Sequence, residues 1–199
     1  MIALINYEAG NIHSVTKALE KCGADVQVTD NVEVIEKADK ILLPGVGAFG
    51  KAMEALTRLE LVKPLQQAVH QKKPFLGICV GLQLLFESSE ENPGSEGLCV
   101  LKGHVKRFPE GVKIPHLGWN EVMQKKDSPL WNDVPDGSFY YFANSYYVVP
   151  EQETIIAGKT EYNVPFVSSI QEGNLFGCQF HPEKSQKWGL KILENFVKL

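Results

Sequence analysis

The sequence predicts an α/β fold, with a mostly parallel central sheet flanked by helices and a smaller antiparallel sheet from the second half. Three observations carry this. Short, continuous apolar runs alternate with helix-periodic stretches through the first half. Those runs lack the polar alternation of a half-exposed strand, so both faces of the sheet are covered and parallel crossovers are the natural connection. After Glu91 helical periodicity nearly disappears, and aromatic and β-branched segments take over until a terminal helix.

The elements follow in order. Ile2 to Ile5 is a buried first strand. Asn11 can cap a helix whose Ile12, Val15, Leu19 and Cys22 share one face, with Gly23 where a left-handed stop belongs. Val26 to Val28 is a second strand, and Lys40 to Leu43 a third that ends at Pro44-Gly45. Helical pattern runs from Phe49 to Gln71 with a break before Pro64. Pro74 to Cys79 is the fourth strand, followed by a helical run, Leu82 to Glu87. Asn92 to Gly97 is a loop. Phe139 to Val149, Ile155 to Thr160, Val167 to Ile170 and Asn174 to Phe180 are strand candidates, and Leu190, Leu193, Phe196 and Val197 make the core stripe of a terminal helix. With no repeat or domain-sized linker, residues 1–199 are expected to form a single domain.

Composition removes whole classes of function. A hydrophobic share of 44% and a charged share of 22% are those of a globular chain, which excludes disorder and fibrous repeats. The net charge of −4 has no basic block behind it, so nucleic acid is not the expected partner. No stretch approaches the roughly 20 apolar residues of a membrane span. The opening residues lack a basic segment and a long apolar core, so the expected location is cytoplasmic with reduced thiols. The four cysteines contain no Cys-x-x-Cys pair, and no metal site is expected.

Gly77-Ile78-Cys79-Val80-Gly81 lies between a buried strand and a helix. This is a nucleophile elbow with Cys in place of Ser: the turn is so sharp that a Cβ two residues before or after the nucleophile would strike backbone. A cysteine at a helix start also feels the positive end of the helix dipole, which favours the thiolate. Taken alone, the same pattern fits a core cysteine between packing glycines. His181-Pro182-Glu183 closes the last strand candidate. In extended geometry Glu183 would face the same way as His181 and fix its tautomer while the other nitrogen meets a thiol. Pro44-Gly45-Val46-Gly47-Ala48-Phe49-Gly50 contains Gly-x-Gly-x-x-Gly, but Leu61 to Lys73 offers no acidic residue for a ribose. The preferred reading is a glycine strand whose Val46 and Gly47 backbone, with Val80 N–H, forms an oxyanion hole. Cys22, Cys99 and Cys178 read as apolar fillers.

In motif and order these residues resemble the class I (triad) glutamine amidotransferases. Within that family, Cys79 to Glu87 with Ser89-Glu90-Glu91, Pro115 to Asn120, and His181 to Ser185 are similar to the branch that serves as the glutaminase subunit of imidazole glycerol phosphate synthase. The resemblance implies a flavodoxin-like sheet, a catalytic triad of Cys79, His181 and Glu183, and no cofactor. It further implies glutamine held by Gly47, Gln83, Glu91, Ser145 and Tyr146, and ammonia passed to a TIM-barrel cyclase subunit in histidine biosynthesis. Asn11, His116, Trp119, Tyr141 and Lys184 match positions that face the cyclase. Two departures stand out: Asn144 where the family usually has His, and Glu8-Ala9 where a glycine is usual. The residues without the resemblance support a Cys-His-Glu amide hydrolase. Rivals are another glutaminase of the family, serving anthranilate, aminodeoxychorismate or pyridoxal phosphate synthesis, and a non-catalytic nucleotide-binding module built on Gly45, Gly47 and Gly50.

Overall fold

The computed structural model describes residues 1–8 and 11–199. Ala9, half of the Glu8-Ala9 departure, therefore lies outside the described residues. In chain order come β1 (Ile2–Ile5), α1 (Ile12–Lys21), β2 (Val26–Thr29), α2 (Val32–Lys37), β3 (Lys40–Leu43), α3 (Phe49–Arg58), α4 (Val62–His70), β4 (Phe75–Ile78) and α5 (Val80–Gln83). The second half supplies β5 (Ser88–Ser89), β6 (Gly103–Arg107), β7 (His116–Gln124), β8 (Ser138–Asn144), β9 (Tyr146–Pro150), β10 (Ile156–Tyr162), β11 (Val164–Glu172), β12 (Leu175–Cys178) and α6 (Gln186–Lys198).

One mixed sheet runs β2-β1-β3-β4-β12-β11-β10-β7-β8, with β5, β6 and β9 off that path. From β2 to β12 every neighbour is parallel. Beyond β12 the pairs β12–β11, β11–β10, β10–β7 and β7–β8 are antiparallel. The parallel half is the flavodoxin-like order, in which crossovers reverse direction at β1 and ligands sit beyond the carboxyl ends of the strands. Strands β1, β4 and β12 are buried at every residue, as their continuous apolar sequences require. The carboxyl ends of β1, β3, β4 and β12 deliver Tyr7, the Pro44 loop, Cys79 and the Gln179-His181 segment to one edge of the sheet.

Several expected elements differ in detail. The long helix breaks at Glu60, whose φ is 57°, rather than just before Pro64. Pro64 instead sits in the first turn of α4, where a missing N–H leaves no bond unmade. Asn11 stands at the start of α1 but its side chain makes no capping bond. The helix after Cys79 stops at Gln83 because the returning loop takes its carbonyls: Leu98 N–H donates to Leu84 O at 2.7 Å and Val100 N–H to Leu85 O at 3.0 Å. The aromatic run expected as one strand is two, broken at Ser145, with β8 pairing β7 and β9 pairing β6 and β11. Helix α2 and strands β5, β6 and β7 are not apparent from the sequence pattern. The first is a short helix of six residues capped by Asn31, whose side chain accepts from Glu33 N–H at 2.8 Å.

Candidate active site

Cys79 is the one residue between β4 and α5 and holds φ 54°, ψ −109°, a conformation that costs an L-residue of order 1–3 kcal/mol. The neighbours impose it. A Cβ on Gly81 would lie 2.0 Å from Leu43 O, and one on Gly77 would lie 2.7 Å from Gly81 O. Only glycines let the elbow close against β3. Cys79 N–H is tied to Cys178 O at 2.8 Å, and the residue is 4% exposed. Since α5 is only four residues long, its dipole is a small influence on the sulfur, contrary to the sequence expectation. The charged neighbour that matters is His181.

His181 is buried, and its N–H donates to Tyr141 O at 2.9 Å. Its Nδ1 meets Glu183 Oε1 at 2.9 Å, with both side chains almost sealed from water. The pairing is not made by extended alternation as the sequence suggested: Pro182 starts a 3-10 turn, Pro182–Lys184, that folds the carboxylate back under the ring. Glu183 Oε2 has no partner among the described residues. With Nδ1 occupied, Nε2 is left for the thiol. Burial pushes the imidazolium down, but the Cys79 thiolate and its hydrogen bond, then Glu183, outweigh it and lift His181 to about 10.

A cavity of about 220 Å³ opens over this pair, lined by Val46, Gly47, Cys79, Val80, Gln83, Glu91, Ser145 and Tyr146, among others. All the residues expected at the oxyanion and substrate positions thus share one pocket with Cys79 and His181. Gly47 adopts φ 100°, which a side chain would oppose. The glycine strand is pinned at its root by buried Tyr7, whose hydroxyl donates to Pro44 O at 2.7 Å. Burial, then the charge of Cys79, raise that phenol far above its ordinary range. Glu91 is half committed already, because its Oε2 accepts from Phe49 N–H at 2.8 Å where α3 begins. Gln83 Nε2 donates to both Tyr146 O at 3.2 Å and Gln179 Oε1 at 3.1 Å, leaving only its Oε1 free to accept.

The residues expected to face a cyclase divide. Trp119 is 45% exposed and meets Tyr141 edge-on at 6.2 Å, and Lys184 Nζ lies 5.9 Å from the Tyr141 ring. Asn11 is half-buried at the start of α1. His116 does not reach the surface. It is 3% exposed, stacked on Tyr162 at 3.9 Å and on Phe142 at 4.8 Å, and burial lowers its pKa to about 4. Strand β7 alternates, so its outward residues are Leu117, Trp119, Glu121 and Met123 instead. Asn144 lines the pocket opposite His116 in the β7–β8 register. Its Nδ2 donates to Tyr146 O at 2.9 Å and its Oδ1 has no partner among the described residues. Of the other cysteines Cys178 is a buried filler, whereas Cys99 is exposed and Cys22 half-exposed, so the filler reading fails at Cys99. Sequence reasoning missed Gln179. A glutamine before Phe-His reads as ordinary strand, and only the fold shows it beneath Cys79.

Residues 3–199 match the family described as Glutamine amidotransferase class-I. The chain belongs to that family. Among similar members of the glutamine amidotransferase family is "Imidazole glycerol phosphate synthase subunit HisH" of Aquifex aeolicus (strain VF5), 52% identical over 98% of this chain and 95% of that protein. The same-named protein of Moorella thermoacetica is 49% identical over 100% of this chain and 94% of its own length. The fold is shared with "Structure of PurLQS from Thermotoga maritima", at a TM-score of 0.79 with 20% identity, covering 99% of this chain and 97% of that one. Among the described residues no cluster of His, Cys, Asp and Glu is arranged to hold a metal, and no helix is long and apolar enough to cross a membrane.

Proposed function

We infer that the chain is the glutaminase subunit of an imidazole glycerol phosphate synthase, hydrolysing glutamine to glutamate and ammonia. The observation that carries the chemistry is the buried Glu183–His181 pair and a strained Cys79 on one pocket that Val46, Gly47 and Val80 also line. Near-full-length identity to the Aquifex and Moorella proteins supports the pathway. The proton of Cys79 Sγ passes to His181 Nε2, and the thiolate adds to the carboxamide carbon. Val80 N–H and the Val46-Gly47 strand face the developing oxyanion. Once the sulfur's charge is spent on the C–S bond, the field that held the imidazolium proton is gone, and His181 yields it to the leaving ammonia. Water deprotonated by His181 then cleaves the thioester, releasing glutamate and restoring the thiol. Gln83 Oε1 and the free oxygen of Glu91 are acceptors for the substrate's α-ammonium, with Gly47, Ser145 and Tyr146 completing the wall.

The chain works as one amidotransferase domain, in the cytoplasm, without cofactor, paired with a barrel-shaped cyclase that consumes the ammonia. The exposed apolar face of β7 and β8, where Leu117 is 62% and Phe139 54% exposed beside Trp119 and Tyr141, together with Asn11 and Lys184, suits such a partner. Glutamine hydrolysis should be measured for the chain alone, with the cyclase, and with the cyclase plus its nucleotide ligand. Stepwise stimulation is expected. Equal rates in all three, or stimulation by a chorismate enzyme instead, would contradict the assignment.

A further inference from the structure

Gln179 is wholly enclosed, two residues before His181, and its amide lies between the nucleophile and a wall of the pocket. Its Nε2 is 3.5 Å from Cys79 Sγ, and its Oε1 accepts from Gln83 Nε2 at 3.1 Å. The direction of this chain is fixed by its far end. Tyr146 O can only accept, so Gln83 must turn its NH₂ toward it; the second N–H of that group then needs an oxygen, which Gln179 supplies. Gln179 is left with its own NH₂ toward the sulfur.

We propose that Gln179 is a catalytic residue of the glutaminase reaction, donating an Nε2 hydrogen bond to the Cys79 sulfur. The proposal rests on the glutaminase reading above. The amide gives up no proton: the thiol proton goes to His181 and from there to ammonia. What the amide supplies is a fixed neutral donor that favours negative sulfur twice, before attack and again when water cleaves the C–S bond and the electron pair returns to Sγ. A neutral donor does this without competing for the proton that His181 must carry. Because the same amide is held by Gln83, the donor is set in place by the pocket wall that receives the substrate.

Two substitutions separate this from packing. Gln179→Met keeps the shape and removes both polar ends, while Gln179→Glu keeps an acceptor for Gln83 and loses the donor to sulfur. Each is assayed in complex with the cyclase subunit. The readouts are kcat and KM for glutamine, and the rate at which iodoacetamide alkylates Cys79 at neutral pH, followed on the Cys79 peptide because Cys99 is exposed and Cys79 is not. Both variants should alkylate Cys79 about 10- to 100-fold more slowly and lose kcat by a similar factor, the worth of one hydrogen bond to an ionised group, with KM within about twofold. Wild-type alkylation and kcat in either folded variant would overturn the proposal, as would a raised KM with unchanged kcat. If Gln179→Met does not fold, Gln179→Glu decides by the same criteria. Turnover by the wild-type complex tests the glutaminase reading alone, whereas alkylation reads the sulfur contact without any substrate.

Discussion

Glu183 determines what His181 can do. Its bond to Nδ1 fixes the tautomer and helps hold the proton on a ring that burial alone would deprotonate. Glu183→Gln preserves size but can present an N–H to Nδ1, inverting the tautomer that the thiol needs. Expected is a fall in kcat of roughly 10²- to 10⁴-fold with KM near that of the wild type, read from steady-state glutamine turnover. A decrease of less than tenfold would place the orienting role elsewhere. At this scale the triad was legible because each member sits in a short motif with a chemical reason for its spacing. His116 was misplaced and Gln179 missed for the opposite reason, since their surroundings are assembled from strands distant in sequence.

The elbow owes its shape to a contact between elements. A methyl on Gly81 would overlap Leu43 O of β3, so Gly81→Ala must push α5 off the sheet, at a cost of about 3 kcal/mol or more. Gly23→Ala is the control: its φ is 79° but nothing lies within 4 Å of the added atom, so only about 1 kcal/mol of backbone strain is expected. Urea unfolding of both variants checks the contrast, and equal losses would mean that the elbow is not close-packed. The β7–β8 pair carries a pH signature of its own. His116 is held neutral by burial, with its pKa lowered from 6.5 to about 4. The unfolded chain therefore binds the extra proton between these values. This stabilising contribution is complete above the unfolded pKa and declines as pH falls toward the folded one, by up to about 3 kcal/mol. His116→Phe should flatten the fall in unfolding free energy between neutral pH and pH 4.5, and an unchanged slope would contradict it. Strands β1, β3 and β4 were readable because burial on both faces leaves a continuous apolar run. The ends of α5 and the split between β8 and β9 were not, because loop and partner-strand hydrogen bonds decide them.

Across the molecule, the apolar face of β7–β8 and the catalytic base are joined by backbone. His181 N–H binds Tyr141 O, Tyr141 N–H binds Ser185 Oγ at 2.9 Å, and Ser185 Oγ donates to His181 O at 2.6 Å. The proposed partner, docked on β8, would therefore act on the strand whose Tyr141 carbonyl holds His181. Trp119→Ala should weaken binding of the cyclase by about 2 kcal/mol, as loss of a large exposed anchor does, while leaving the unfolding midpoint within a degree or two. Titration calorimetry checks it, and undiminished affinity would move the docking surface off this face. The parallel half of the sheet and its order were foreseeable from the apolar runs and the family resemblance. The joining of both halves into one continuous sheet through β11–β12 was not, because it depends on pairings between distant segments. The most direct test of the whole account is labelling with an electrophilic glutamine analogue, followed by peptide mapping. A single adduct on Cys79 that abolishes glutamine hydrolysis is predicted; an adduct on Cys22, Cys99 or Cys178, or full turnover after Cys79 is modified, would contradict it.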